Sequence, residues 1–335
     1  MNGTPFSRRA YLTGFGAAAT TGVAGCLGGG TDDLTVAHMP IFPDLQYYVM
    51  DGKGYFDEID AEIDGQEFTD GPAIIQAYGG GDIDIGMFGI VPAMIVMDRG
   101  LPAKVTATNI KEPMGIMVHE DLQAMWDEHG ADAFRVWEDE TGEPFDFGTF
   151  PQGSVPDVLL RHWLSDTLGV DPESAVEITE IGGANAVFQA LTNGEVDGTS
   201  IMEPVPTRVS NTDSPIAMFR TAAEILPGQP AAVTLMTDEI RNSDLAVQFL
   251  EQHIRATDFI NDDPDATADI VEDGIGMDRE VARQALDSPL SNFVTDPREI
   301  EDATDIFAEF AHENGQIDQQ PPLDEIFDYS VYETV

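Results

Sequence analysis

The sequence of 335 residues contains one cysteine and only three lysines. A single cysteine allows no disulfide within the chain, so the fold must be held together by its hydrophobic core. Fifteen basic residues stand against 62 acidic ones, and a net charge of −47 repels nucleic acid and anionic lipid. The six histidines show no metal-ligand spacing, and there is no phosphate-binding loop with lysine, no His-Glu-x-x-His and no nucleophile elbow. We therefore predict no metal site, no cofactor and no catalytic residues.

The acidic residues are distributed along the chain, with local runs at residues 138–140 and 262–272. High net charge is typical of disordered chains. Here, however, 42% of the residues are hydrophobic, and they lie in periodic segments separated by turn signals. A folded chain of this composition is similar to the proteins of extreme halophiles, in which molar salt limits charge repulsion to a range of roughly 3 Å. We therefore interpret the acidic runs as solvated surface and predict that stability depends on salt.

Two arginines precede a short apolar run at the N-terminus. Arg8 and Arg9 are followed by the Gly- and Ala-rich segment Thr13–Ala24. This run is about a dozen residues long, whereas a membrane-spanning helix needs roughly 20 apolar residues. The pattern predicts a twin-arginine export signal over residues 1–25.

The only cysteine follows this segment directly, and Val23-Ala24-Gly25-Cys26 resembles a lipobox. We expect Cys26 to be lipidated and to become the first residue of a chain with 13 basic and 62 acidic residues, a net charge of −49. Residues 26–33 are Gly-rich and predict a flexible linker. The protein is thus expected to be an exported lipoprotein, anchored on the extracytoplasmic side of the membrane by its acyl chains. The alternative is a short membrane anchor around a free thiol.

Strand-like and helix-like segments alternate in two series, and helices alone follow from residue 238. This alternation predicts parallel sheets with helices on both faces. About 300 residues exceed one typical core, so we predict two lobes. The predicted strands are Leu34–His38, Ala61–Phe68, Ile83–Met87 and Ala103–Thr108 in the first series, and Gly115–His119, Phe145–Thr149, Val176–Glu180, Val196–Ile201, Ile216–Arg220 and Ala232–Thr237 in the second.

Several phrases in a fixed order carry a family resemblance. They are Lys53–Phe56, Phe68–Pro72, Ala77–Gly86, Phe147–Thr149, Gly153-Ser154, Gln189–Gly198 and Glu203-Pro204. With this order and spacing, the chain from about Leu34 to Phe310 resembles the solute-binding proteins of ABC importers, in the branch for nitrate, sulfonate, taurine and pyrimidine thiamine precursors. The predicted lipid anchor supports the resemblance independently.

The resemblance implies an α/β fold of the type II periplasmic-binding-protein kind, in which each lobe is a mainly parallel sheet flanked by helices. Residues 34–112 and the helical part 238–335 would form lobe 1, and residues 113–237 would form lobe 2. The protein would be a monomer that closes on a small-molecule solute and delivers it to a membrane permease, whose ATPase supplies the energy. It would not be an enzyme.

Ligands of open α/β sheets bind beyond the carboxyl ends of the strands. Because of this rule, we predict that the solute contacts loops that follow strands in both lobes. The candidate residues are Phe42, Gln46, Met87, Phe88 and Gly89 in lobe 1, and Gln152, Gly153, Ser154, Asn185 and Glu203 in lobe 2.

Each candidate has an alternative structural role. Ser154 precedes a helix, where it either donates to an anion or caps the helix. Phe42 and Phe88 are either pocket walls or ordinary core, and Gln46 and Asn185 either orient a ligand or lie at the surface or in a cap.

Glu203 distinguishes the solutes, because no lysine or arginine lies in these loops. A carboxylate disfavours a bare anion and suits an ammonium group or an aminopyrimidine edge, although it can instead bond backbone at the end of a strand. In the family this position usually reads Trp-Glu-Pro, and here Met202 replaces the tryptophan. We therefore favour an aminosulfonate or a neutral heterocycle over nitrate.

Two other functions fit the resemblance. The protein could instead be a ligand-sensing partner of a membrane receptor, and the sequence does not separate this from an importer component. Some pyrimidine-synthesising enzymes share the fold and carry clustered cysteines with a histidine for iron. The single Cys26 argues against that enzyme class.

Overall fold

The computed structural model describes residues 32–335, so the predicted signal peptide, Cys26 and the linker up to residue 31 lie outside the described residues. The strands are β1 (Asp32–His38), β2 (Ala61–Glu67), β3 (Ile85–Gly89), β4 (Ala103–Thr108), β5 (Ile110–Lys111), β6 (Met114–His119), β7 (Asp146–Thr149), β8 (Glu177–Glu180), β9 (Gly198–Met202), β10 (Ile216–Thr221), β11 (Ala232–Thr237) and β12 (Asn292–Phe293).

Helices flank these strands and make up most of the chain after residue 237. They are α1 (Leu45–Gly52), α2 (Gly71–Gly80), α3 (Ile90–Asp98), α4 (Glu120–His129), α5 (Ala133–Thr141), α6 (Val155–His162), α7 (Pro172–Ala175), α8 (Ala184–Asn193), α9 (Val205–Ser210), α10 (Ala222–Ile225), α11 (Asp238–Arg241), α12 (Asp244–Asp262), α13 (Pro264–Ile275), α14 (Arg279–Leu286), α15 (Glu301–Glu313) and α16 (Leu323–Ile326). Among residues 32–335, no helix is both long and apolar enough to cross a bilayer.

Local sequence accounts for where several helices begin and end. Helix α2 begins after Asp70, whose side chain accepts a hydrogen bond from the backbone N–H of Ala73 at 2.9 Å, with Pro72 in the first turn. It ends at Gly81, which has a φ of +77° and so takes the left-handed conformation that closes a helix at least cost for glycine. The limits of α2 therefore follow from the local sequence.

Two five-stranded sheets form the body of the protein, with the orders β2-β1-β3-β11-β4 and β10-β6-β9-β7-β8. In the first sheet β1 runs parallel to β2 and β3, whereas β11 runs antiparallel to β3 and β4. In the second, β7 runs parallel to β8 and β9, whereas β6 runs antiparallel to β9 and β10. The predicted α/β fold class is therefore confirmed: each sheet is mixed, with four strands running in one direction and one strand, β11 or β6, running against them.

The antiparallel strand of each sheet is the one that arrives from the other sheet. Strand β6 follows the first four strands of the first sheet, and β11 returns there after the second sheet is complete. The prediction that residues 113–237 all belong to lobe 2 is wrong for its last strand, because Val233 pairs with Phe88 of β3 and with Thr108 of β4. The residue pattern of Ala232–Thr237 predicted a strand, but it carried no information about which strands would pair with it.

Three chain segments meet where the polypeptide crosses between the sheets. Lys111 in β5 pairs with Asn292 in β12 and forms a bridge with Pro230 on the returning segment. Glu112 has a φ of +55°, which a residue other than glycine rarely adopts. Its Oε1 accepts from the backbone N–H of Gly228 at 2.6 Å, and its Oε2 accepts from Asn292 Nδ2 at 3.4 Å. The carboxylate of Glu112 thus ties all three crossing segments together.

One continuous hydrophobic cluster extends from the first sheet into the helices and strands of the second. Val36 and Phe88 lie at one end of it, and Val155, Ile201 and Val205 at the other. The C-terminal helices add to this contact, since α12 packs on α1, while α15 contacts both α3 beside the first sheet and α6 beside the second. Apolar packing therefore holds the two sheets and the helical C-terminal part together.

Candidate functional site

Two of the predicted loops, one from each sheet, meet in the structure. Gly89 ends β3, and a Cβ atom at this position would lie 3.2 Å from Val155 Cγ2, the first residue of α6. The loop Met87–Gly89 therefore lies against the segment that follows Ser154. This is the arrangement expected where a solute is enclosed between two lobes.

The side chain of Gln316 lies at the same junction. Gly153 has a φ of +86°, and a Cβ there would lie 2.9 Å from Gln316 Nε2. Both polar side-chain atoms of Gln316 are buried, and neither has a hydrogen-bond partner among residues 32–335. An amide of this kind costs about 1–3 kcal/mol unless water or a ligand pairs with it. Gln316 was not among the predicted site residues, because it lies in a turn after α15 and far from any strand end.

Ser154 acts as a helix cap in the structure. Its Oγ accepts from the backbone N–H of Asp157 at 3.4 Å, and Asp157 Oδ2 accepts from the backbone N–H of Gly153 at 3.0 Å. Asp157 is almost fully buried and its Oδ1 also accepts from Arg161 Nε at 2.8 Å. Burial raises the pKa of Asp157, while Gly153 and Arg161 oppose that rise. This short network fixes the conformation of the Gly153-Ser154 loop. Gln152 is exposed beside it.

The four large lobe 1 candidates are buried within the first lobe. The Phe42 ring packs 5.9 Å from Phe293, and the Phe88 ring 5.9 Å from Tyr78. Met87 and Gln46 are fully buried. Gln46 Nε2 donates to the backbone oxygen of Asn109 at 2.6 Å and to Thr257 Oγ1 at 3.2 Å, while its Oε1 has no partner among the described residues. These contacts support the core alternative for the two aromatic rings.

Asn109 is the centre of a buried polar network beneath these residues. Its Nδ2 donates to Asp44 Oδ1 at 3.3 Å, and its Oδ1 accepts from Thr234 Oγ1 at 2.8 Å and from His253 Nε2 at 3.0 Å. Asp44 Oδ2 accepts from the backbone N–H of Met39 at 3.1 Å, in the loop that leads to Phe42. Asp44 is fully buried, and this burial raises its pKa well above the usual range. The network therefore joins the loop after β1 to the end of β4, where Asn109 lies, and to Thr234 of β11.

His253 is neutral in this network. Because Asn109 Oδ1 is an acceptor, Nε2 carries the proton, and Nδ1 is buried without a partner among the described residues. Burial lowers the pKa of His253 to about 3. His38, whose ring stacks on Tyr47 at 3.5 Å, is also largely buried, and its pKa is lowered to about 4.

Acid is therefore expected to destabilise the fold through these two histidines. A histidine that is neutral when folded takes up a proton on unfolding below its ordinary pKa of about 6.5. The stability present above pH 6.5 is then lost as pH falls toward about 3, at up to roughly 1.4 kcal/mol per pH unit for His253. The variant His253→Gln keeps a donor to Asn109 without titrating, so chemical denaturation between pH 7 and pH 5 should show a shallower loss. An equal slope in both proteins would contradict this prediction.

Glu203 directly follows β9 of the second sheet. It is only 3% exposed, its Oε2 accepts from the backbone N–H of Thr207 at 3.1 Å, and its carboxylate also accepts from the Ser288 hydroxyl. Burial raises its pKa, and these hydrogen bonds oppose the rise. Glu203 lines a cavity to which neither the Met87–Gly89 loop nor the Gln152–Ser154 loop contributes. Because β7 and β9 are adjacent parallel strands, Glu203 and the Gln152–Ser154 loop nevertheless follow strands that end at the same edge of the second sheet.

Asn185 is exposed and holds an arginine. Its Oδ1 accepts from Arg208 Nη1 at 2.6 Å, and the Arg208 guanidinium lies 3.9 Å from the centre of the Phe188 ring. Within residues 32–335, Arg208 has no carboxylate within 4 Å, and burial lowers its pKa. The predicted loops themselves lack basic residues. Arg208 was not predicted as a site residue, because it lies one helical turn after the Glu203-Pro204 loop.

The described part of the chain contains no group of three histidine, cysteine or acidic side chains that is placed to hold a metal ion. The residues at the junction are instead an amide, a glycine-containing loop and a capped helix. Such groups bind through neutral hydrogen bonds and carry no nucleophile paired with a base.

Comparison with known proteins adds to this geometry. No curated protein matches the chain significantly. A ligand-binding component of an ABC-type import system from Staphylococcus aureus, solved with zinc bound, is 17% identical with a TM-score of 0.73, covering 90% of this chain and 98% of its own. The periplasmic aliphatic sulphonate-binding protein of Escherichia coli is 15% identical with a TM-score of 0.72, covering 90% and 100%. The periplasmic nitrate-binding protein of Synechocystis is 13% identical with a TM-score of 0.74, covering 91% and 88%.

At these identities the likeness shows the fold. It is the fold of this import-system component and of the two periplasmic binding proteins, and it agrees with the two sheets described above. A family model matches residues 28–273, which is most of the chain. The protein therefore belongs to the NMT1-like family.

Proposed function

We propose that this protein is the extracytoplasmic solute-binding component of an ABC importer, which encloses a small polar solute between its two lobes and delivers it to a membrane permease. The observation that carries the proposal is Gln316, with two buried side-chain atoms lacking partners at the contact between Gly89, Gly153 and Val155. The solved relatives bind small solutes, which supports the same role. On this proposal the protein is not an enzyme, is monomeric, and is exported and held at the membrane by acylated Cys26.

The amide of Gln316 favours one class of solute over another. It offers one acceptor and one amino donor group, and both are unpaired within the described chain. Nitrate has only acceptor atoms, so it would leave Gln316 Oε1 unpaired. An aminosulfonate or an aminopyrimidine presents donors and acceptors together and satisfies both sides of the amide. We therefore favour these classes over nitrate and over sulfonates that lack an amine.

A thermal-shift screen in molar salt tests the binding role. The solutes are taurine, alkanesulfonates, nitrate, aminopyrimidines and thiamine precursors. A solute that binds only the folded protein adds about 2.7 kcal/mol of stability at a hundredfold excess over Kd. A shift with one class would identify the solute, whereas flat melting curves with every class would remove the support for an importer component of this specificity.

The variant Gln316→Leu is expected to weaken binding of that solute at least tenfold, because a leucine keeps the volume but offers no hydrogen bond. Its melting temperature without solute should stay the same or rise, since an unpaired buried amide is removed. Gln320 lies on the same segment, is exposed and bonds Asp305, so Gln320→Leu is the matched control. A drop in melting temperature with unchanged affinity in Gln316→Leu would show that the amide is structural.

A further inference from the structure

The turn that carries Gln316 follows α15, and that helix holds the start of the turn. The backbone N–H of Gly315 donates to the His312 oxygen at 3.0 Å, and that of Gln316 donates to the Ala311 oxygen at 2.8 Å. Ile317 is buried, and its N–H also donates to the Ala311 oxygen, at 3.4 Å. Helix α15 therefore sets where the turn begins, but none of these bonds directs its far end.

The far end of the turn is fixed by a side chain of another helix. The backbone N–H of Asp318 donates to the Asp98 carboxylate, with 3.1 Å to each of the two oxygens. Among residues 32–335, no other group outside α15 forms a hydrogen bond with residues 314–318. The position of Asp318, two residues beyond Gln316, therefore depends on Asp98.

Asp98 has no other partner that would account for a carboxylate at its position. It is the last residue of α3, where the aligned peptide dipoles of a helix disfavour negative charge. Its side chain is exposed and takes part in none of the ion pairs formed by the described part of the chain. The carboxylate gains nothing from its own helix, so the hydrogen bond from Asp318 is the contact that explains it.

Helix α3 reaches the lobe junction at its other end. It begins directly after Gly89, the residue at which a Cβ would lie 3.2 Å from Val155 of the second lobe. Helix α15 packs against α3, and Gln316 lies against Gly153 of the second lobe. The two ends of α3 therefore support the two groups of the first lobe, Gly89 and Gln316, that face the second lobe.

We propose that Asp98 is a positioning residue of the solute site, which holds the Gln316 amide against the Gly153 loop through the N–H of Asp318. This inference rests on the proposed function, because Gln316 is assigned there to the solute. On this proposal Asp98 does not touch the solute. Without its carboxylate the turn moves away from Gly153 for part of the time, and the apparent affinity falls by the fraction of molecules that keep the amide in place.

Hydrogen exchange of the unliganded full chain in molar KCl tests the hold on the turn without any solute. In Asp98→Ala, the amides of a peptide covering residues 314–319 are expected to exchange about fivefold faster than in the unaltered protein. Asp98→Asn keeps a side-chain oxygen that accepts from Asp318 and should restore slow exchange.

Asp262 provides the matched control for this measurement. It is also an exposed aspartate at the last residue of a helix, α12, and its carboxylate accepts no hydrogen bond among the described residues. Asp262→Ala therefore makes the same change in charge and in helix-end electrostatics as Asp98→Ala. Its peptide over residues 314–319 should exchange as that of the unaltered protein does.

Calorimetric titration with taurine at the same salt concentration tests the link to the solute. We expect Asp98→Ala to bind about fivefold more weakly, and Asp98→Asn and Asp262→Ala to bind as the unaltered protein does. The decisive comparison is made in Gln316→Leu, where adding Asp98→Ala should cause no further loss, because the amide that Asp98 positions is gone. A role in general stability would instead lower the affinity equally with and without Gln316.

Unchanged exchange in Asp98→Ala would overturn the proposal, as would faster exchange with unchanged taurine affinity, or equal losses of affinity in the two backgrounds. If the unaltered protein does not bind taurine, the solute that gives the thermal shift replaces it. Failure of the proposed function is a different result, in which no solute of that screen binds the unaltered protein. It would overturn the assignment of Gln316 to a solute and the second step of this proposal, whereas the exchange rates would still confirm or contradict the hold of Asp98 on the turn.

Discussion

Replacing Asn109 with alanine is expected to lower the free energy of unfolding by about 3 kcal/mol. The side chain satisfies three buried partners at once, namely Asp44, Thr234 and His253. Without it, the Asp44 carboxyl loses a hydrogen bond inside a fully buried site, and two donors lose their acceptor. Removing one partner of a buried network costs the full desolvation of the groups left behind, which is why the expected loss exceeds that of an ordinary hydrogen bond.

Thr106→Val is the matched control for this substitution. Thr106 is also fully buried on β4, but its hydroxyl makes a single hydrogen bond, to the backbone oxygen of Thr234 at 3.3 Å. We expect it to cost about 1 kcal/mol. Urea denaturation of both variants in the same salt measures the difference. Similar losses in the two proteins would mean that the Asn109 network does not act as a unit.

Transfer from 2 M KCl to 50 mM KCl is expected to lower the melting temperature by roughly 10 °C, a loss of a few kcal/mol. Acidic residues outnumber basic ones by 62 to 15 in the sequence, and the fold places them on exposed surfaces such as the edge strand β2, with Glu62 and Glu67. Most ion pairs, including Arg135–Asp139 at 3.0 Å, are exposed and contribute little by themselves. The excess negative charge therefore repels itself, and only dissolved ions reduce that repulsion.

Two further measurements separate charge screening from other effects of salt. Sucrose strengthens burial of apolar surface without screening charge, so it should recover only part of the stability lost at 50 mM KCl. A variant with several exposed acids of α13 changed to their amides should need less salt for the same melting temperature. Identical melting temperatures at the two salt concentrations would contradict the prediction and the halophilic interpretation of the composition.

The sequence predicted the fold well where the information is local. Asp70 and Gly81 mark the limits of a helix, and the segment Ala232–Thr237 has the pattern of a strand. Which strands pair is not local, and for this reason that strand was predicted in the wrong sheet and the one antiparallel strand of each sheet was not predicted. Strands β6 and β11, which each reach their sheet from the other sheet, run antiparallel to their neighbours. Only the complete topology shows this.

The site was harder to predict, for the same reason. The loops at Gly89 and Gly153 were found by a rule about strand ends, and the structure places them close together. Gln316 and Arg208 were not found, because one lies in a turn of the C-terminal part and the other on a helix, and no motif surrounds either of them. Whether Ser154 contacts solute stays a prediction. The same holds for Asn185 and Glu203, whose hydrogen bonds to protein groups are shown here.

The exchange of strands between the sheets has a consequence for biosynthesis. The second sheet is built from one uninterrupted stretch, residues 114–221, and can form as soon as that stretch leaves the ribosome. The first sheet begins earlier but lacks its fourth member in spatial order, β11, until residue 237 has been made, which leaves β3 and β4 without the strand that joins them. Unpaired strand edges promote aggregation. A nascent chain that is held with residue 221 outside the ribosome and β11 still inside it would therefore expose the half that was translated first, and the half translated second would be the one already folded.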